Sequence, residues 1–189
     1  MNYQTVADIF SANSKFRDRL SEVLSDVSEE EAAALPDGEK WSIQQVAEHL
    51  ALVDIGIGRI CSKLIEASKA GGAVSDGSFS VTEAFGRRAR EIAGLKVEAP
   101  DRVQPTGDVD IAESLARIEA NRAVFDSLRR DLDSVDFSEP KFPHPFFGDL
   151  TAGEWLAMAG MHQHRHTRQI EKLLAKVRAG GDVQEKIPG

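Results

Sequence analysis

The sequence predicts an all-α fold: a four-helix bundle whose second and third long helices are joined by a long connection carrying a short extra helix. Three observations predict it. Apolar residues recur at helical spacing over four long segments. A helix-start signal, Ser or Thr followed three residues later by Glu or Gln, recurs along the chain. No segment alternates with the period of two that a half-buried strand requires.

The first segment carries Val6, Ile9, Phe10, Phe16, Leu20, Val23 and Val27. The second carries Ile43, Val46, Leu50, Val53, Ile57, Leu64 and Ile65, and the third Ile111, Leu115, Ile118, Phe125, Leu128 and Leu132. The fourth carries Trp155, Ala159, Ile170, Leu173 and Val177. Capping boxes begin at Ser28, Ser42, Ser80 and Thr151, and Asp110 with Glu113 is a close variant. Gly71-Gly72, Gly94 and Gly180-Gly181 follow helical patterns and read as stop signals, because glycine adopts the left-handed C′ conformation cheaply. A short helix is expected over roughly Val81 to Ala93, inside the connection from Ala70 to Val109. That length implies one crossover. Pro36-Asp37-Gly38 and the stretch from Pro140 to Pro145 read as loops.

The length of 189 residues fits one domain, expected over 1–178, with a flexible tail at 179–189. A net charge of -8 disfavours binding to phosphate backbones or anionic membranes, so neither nucleic acid nor a membrane is an expected partner. The single cysteine, Cys61, excludes an intrachain disulfide. With no recognisable leader and no long apolar run, the expected location is cytoplasmic.

The five histidines are His49, His144, His162, His164 and His166. On a helix His162 and His166 lie about 40° apart and one turn along the axis, whereas His164 points roughly the other way. Positions 155, 159, 162, 166, 170, 173 and 177 form one line, so His162 and His166 interrupt the core stripe and His164 is expected to face solvent. His49 lies on the core stripe of the second long helix, beside Leu50. A core histidine is more often a hydrogen-bonded structural residue than a ligand. Three such rings from two helices would be costly to bury unpaired, however, and one cation satisfies them all.

Two stretches resemble the DinB-like family of bacterial four-helix-bundle metalloproteins. Trp41-Ser42 through His49-Leu50 is similar to the family's W-S-x-x-x-x-x-x-H-L opening of the second helix. His144-Pro145-Phe146-Phe147-Gly148-Asp149-Leu150-Thr151, then Trp155-Leu156, then His162 to Ile170, resembles H-P-x-x-G-x-L-T, W-L and H-x-x-x-H-x-x-Q-I. These pieces cover about a quarter of the chain. The resemblance implies that His49, His162 and His166 hold one divalent metal ion, zinc or nickel foremost, then iron or manganese. It also implies a homodimer. Family members include thiol-dependent S-transferases, using bacillithiol, mycothiol or glutathione, and proteins that look like metal-dependent hydrolases.

The expected function is therefore a transferase or hydrolase acting on a small molecule through a metal-bound thiolate or hydroxide, with a low-molecular-weight thiol as the further cofactor in the first case. The alternative is a non-catalytic metal-binding protein for storage, sensing or structure, which predicts a closed site with a fourth protein ligand. No catalytic residue beyond the ligands is assigned. Gln45, Gln169 and Asn121 fall where they could orient the rings, and His144 where it could line the mouth. Cys61, Trp41 and Trp155 read as core residues.

Overall fold

The structure is a computed structural model that describes residues 3–72, 74–75, 81–92 and 98–184. Its four long helices are α1 (Val6–Ser25), α3 (Ile43–Gly71), α5 (Ile111–Ser134) and α6 (Ala152–Gln184). Between them lie α2 (Glu29–Ala33), α4 (Glu83–Ile92), a 3-10 turn at Asp101–Val103 and a two-stranded antiparallel ribbon, β1 (Phe142–His144) with β2 (Gly148–Leu150).

The predicted caps explain where the helices begin. Ser28 and Ser42 form reciprocal capping boxes with Glu31 and Gln45. Asp110 accepts from the Glu113 N–H at 2.7 Å, and Thr151 pairs with Glu154. Thr5 with Asp8 forms a further box with Asp in the third position. Ser80 lies outside the described residues; the hydroxyl that caps α4 is that of Thr82, which accepts from the Phe85 N–H. Gly72 ends α3 at φ +70°, as its position predicts. Gly94 lies outside the described residues. The Gly180-Gly181 pair does not stop α6, which runs on to Gln184.

Two apolar clusters fix the helix directions. In one, Ile9 and Phe10 of early α1 meet Cys61, Leu64 and Ile65 of late α3 and Trp155 to Ala159 of early α6. In the other, Leu20, Val23 and Leu24 of late α1 meet Ile43 to Ala51 of early α3 and Ile170 to Leu174 of late α6. So α1 and α6 run one way and α3 the other. Ile118 belongs with early α3, while Phe125, Leu128 and Leu132 belong with late α3, so α5 runs parallel to α3. Parallel neighbours need a return path, and residues 72–110 supply the expected crossover.

Both parallel pairs close on an asparagine laid over a glycine. Asn13 of α1 donates to the Leu156 carbonyl of α6 at 2.9 Å, and Asn121 of α5 donates to the Asp54 carbonyl of α3 at 2.8 Å. Each carbonyl lies four residues before a glycine, Gly160 and Gly58. A Cβ on either would come within 1.9 Å and 2.4 Å of the asparagine Oδ1. Glycine therefore sets how closely the helices approach. At the same height Asp54, Gln163 and Thr167 are also buried, so a polar belt divides the two apolar clusters.

The ribbon lies in the stretch expected to be loop. Its strands of three residues are too short to show alternation. It is secured from outside: Trp155 Nε1 donates to the Phe142 carbonyl at 3.1 Å and Arg88 Nε to the Phe146 carbonyl at 2.6 Å. Gly148, at φ +76°, makes the turn into β2.

Candidate metal centre

His49 is held by the crossover. Its Nδ1–H donates to the Val103 carbonyl at 2.7 Å, and its ring lies 4.9 Å from that of Trp41. The neighbouring Glu48 fixes the same segment. Its buried carboxylate accepts from the Thr106 N–H at 3.0 Å, the Thr106 hydroxyl at 2.9 Å and the Gly107 N–H at 2.8 Å. Burial alone would raise the Glu48 pKa, yet these donors hold it below the ordinary carboxylate value. Gln44 adds a bond to the Gly107 carbonyl. Gln44 and Glu48, one turn apart at the start of α3, thus anchor the crossover, and the crossover in turn fixes the His49 ring.

One turn apart on α6, the His162 and His166 rings have centroids 4.4 Å from each other. The His166 Nδ1–H donates to Gln169 Oε1 at 2.8 Å. His49 Nε2 lies 3.3 Å from His162 Nε2, and one ring nitrogen from each of the three histidines falls within 4.8 Å of the others. No other group of three potential ligands gathers this closely among the described residues.

Burial dominates the electrostatics. It lowers the His49 pKa against the pull of the Val103 carbonyl, with Arg165 adding repulsion. It takes His162 well below its ordinary value, helped by His166, His49 and Arg165. It brings His166 down to about 3, with His49 adding to the effect. At neutral pH all three rings are uncharged. His49 and His166 each hold their proton on Nδ1, so each turns an Nε2 lone pair toward the cluster. The 3.3 Å between His49 Nε2 and His162 Nε2 matches the ~3.3–3.4 Å edge of a tetrahedron with metal–nitrogen bonds of about 2.0–2.1 Å. The tautomers of His49 and His166, the neutrality of all three rings and the His49–His162 spacing fit a divalent cation.

Beside the cluster opens a cavity of about 280 Å³. Val53, Ile57, Ile60, Ile92, Phe147 and Met158 give it apolar walls. His49, His162 and His166 belong to its lining, and so do Arg102 and Arg165, whose exposure puts them at the rim. Its one acidic lining residue among the described residues, Glu98, is paired with Lys40. No carboxylate joins the three histidines, so the side of the cluster facing the cavity has no fourth protein ligand among the described residues.

Of the residues singled out to orient the rings, Gln169 contacts His166 directly. Gln45 uses its amide to cap α3, accepting from the Ser42 N–H at 3.0 Å. Asn121 binds Asp54, in the polar belt. His164 corrects the expectation of a solvent-facing ring. It is half-buried and stacks on Phe16 at 4.8 Å, because α6 packs against α1 as well as α3. Trp41 and Trp155, read as core anchors, both line the cavity, and Trp155 is also buried. Cys61 is buried, as expected, and burial raises its thiol pKa strongly.

Sequence reasoning missed Glu48 and Asp54. Both interrupt the apolar face of α3 with a carboxylate, the same signal that marked His49. Val103 acts through its carbonyl alone, and side-chain identity gives no sign of that.

The DinB superfamily model matches residues 12–170. The uncharacterized protein YuaE of Bacillus subtilis (strain 168) is 25% identical over 155 residues, covering 82% of this chain and 90% of its own. The crystal structure of TT2238, described as a four-helix bundle protein, superposes with a TM-score of 0.56 at 21% identity, over 88% of this chain and 98% of its own. This second likeness concerns the fold.

Proposed function

The chain belongs to the DinB superfamily, and we propose that it is a metal-dependent enzyme, a thiol S-transferase or a hydrolase, with His49, His162 and His166 as the metal ligands. The observation carrying this reading is the convergence of three uncharged imidazoles in the lining of a largely apolar cavity, with no fourth protein ligand joining them among the described residues. A divalent ion in that position supplies a Lewis acid that lowers the pKa of a thiol or water brought to it.

The chain's own residues do the rest. Three neutral ligands leave the full charge of the ion uncompensated. Gln169 and the Val103 carbonyl fix the ligand rings, so little reorganisation accompanies binding. The apolar walls exclude bulk water and strengthen every electrostatic interaction inside. Cys61 is no rival nucleophile, because it is buried with its thiol protonated. A closed storage or structural site would call for a fourth protein ligand, and none joins the three histidines among the described residues.

The test is metal content by mass spectrometry on untagged protein, beside the His166→Ala and His164→Ala variants. The proposal expects about one equivalent of zinc, nickel, iron or manganese in the parent and in His164→Ala, and its loss from His166→Ala. Thiol transfer and ester or amide hydrolysis are then screened with the loaded protein. A parent that takes up no metal after incubation with each ion ends the enzyme reading. Equal loss from both variants overturns the ligand assignment.

A further inference from the structure

His144 sits in the ribbon and is not one of the three clustered histidines, yet it lines the same cavity and its charge bears on His162. Its ring is fixed on several sides. The Phe146 N–H donates to His144 Nδ1 at 3.1 Å. Phe147 meets the ring edge-on and Trp155 tilts against it, both at 5.0 Å. Burial, with Arg102 adding repulsion, brings the pKa of the ring down to about 4, so at neutral pH it carries one proton. Because Nδ1 accepts, that proton is on Nε2. Nε2 has no hydrogen-bond partner among the described residues and is not one of the fully buried unpartnered atoms. The ring therefore offers the cavity one oriented N–H.

The surroundings select what that donor meets. Arg102 and Arg165 place positive charge at the rim, and Lys40 already occupies the lining acid, Glu98. The walls are apolar and aromatic. In a chain of net charge -8 this is a locally cationic recess that favours an anion with an apolar body.

We propose that His144 is the ligand-orienting donor of this cavity, its Nε2–H binding a carboxylate oxygen of an apolar carboxylate ligand. The assignment rests on the reading of the cavity as the substrate site. It makes His144 a positioning residue, because it touches the ligand without exchanging a proton with it.

The experiment uses benzoate as probe and tryptophan fluorescence as readout, since the chain's two tryptophans, Trp41 and Trp155, both line the cavity. Benzoate and its acceptor-free counterpart toluene are titrated into the full chain, with and without zinc, for the parent, His144→Phe and His144→Gln. Phenylalanine keeps the ring and removes the donor; glutamine returns an amide N–H near the Nε2 position. The expected result is a ~10-fold weaker benzoate affinity in His144→Phe, as for loss of one hydrogen bond to a charged group. Toluene affinity stays unchanged and His144→Gln recovers most of the loss. Nitrogen NMR of the parent should show the proton on His144 Nε2 and a shift of that resonance with benzoate, a result independent of whether either variant folds.

The inference is overturned by benzoate binding His144→Phe as tightly as the parent, by His144→Gln staying as weak as His144→Phe, by a proton on Nδ1, or by no saturable benzoate binding to the parent. Failure of the metal reading shows separately, as absent zinc uptake in the same samples. The zinc-free titrations then still decide the role of His144.

Discussion

Replacing Glu48 with alanine should loosen the fold and the metal site together. The carboxylate is 2% exposed and accepts three hydrogen bonds, from the Thr106 N–H, the Thr106 hydroxyl and the Gly107 N–H. A bond to a charged acceptor contributes about 1.5–3 kcal/mol, and bonds to one acceptor do not add fully. Alanine leaves three donors without their acceptor, so a total cost of about 3–5 kcal/mol is expected. For a chain of this size that lowers Tm by roughly 6–20 °C. The Val103 carbonyl that orients His49 lies three residues before Thr106, so the same change releases the His49 ring and should weaken zinc binding about 10–100-fold. Urea unfolding of the zinc-free protein measures the first effect, and zinc titration against a competing chelator measures the second. A variant that is destabilised but binds zinc like the parent would refute the coupling between crossover and ligand. An unchanged urea midpoint would refute the energetic argument itself.

Gln169→Leu removes the acceptor that holds the His166 ring and should weaken zinc binding by about 10–100-fold, with little change in zinc-free stability, by the same two assays. Asp54 gives a pH signature. Burial raises its pKa from 3.8 to about 6, against the bond from Asn121 and the charge of Arg17. Between those values the unfolded chain holds fewer protons than the folded one. Stability therefore falls as pH rises through this window and levels off above about 6, by roughly 3 kcal/mol in all. Asp54→Asn should remove that component, seen as a parent-minus-variant difference in urea stability that shrinks between pH 4 and 6; a pH-independent difference contradicts it. Gly160→Ala brings a Cβ to 1.9 Å from Asn13 Oδ1 and should destabilise by about 1–3 kcal/mol. Gly56→Ala, with nothing within 4 Å of the added carbon, should stabilise by up to about 1 kcal/mol in the same denaturation assay.

The sequence by itself determined the four long helices, most of their caps and the turning of His49, His162 and His166 inward. All of these follow from local periodicity: a 3.6-residue turn sorts side chains by face, and a Ser-x-x-Gln box marks a first turn wherever it occurs. The single crossover was legible too, because 40 residues between Ala70 and Val109 are more than a hairpin needs.

Tertiary structure alone decided which partners those faces met. Gln45 and Gln169 lie on similar faces, yet one caps a helix and the other holds His166. His164 looked solvent-facing because it lies opposite the apolar stripe of its helix. It is half-buried because α6 packs against both α1 and α3. The Val103 carbonyl beside His49 and the cavity between ribbon, crossover and bundle depend on segments far apart in the chain arriving together. Periodicity within one helix says which way a side chain points; what lies opposite is a property of the packed chain.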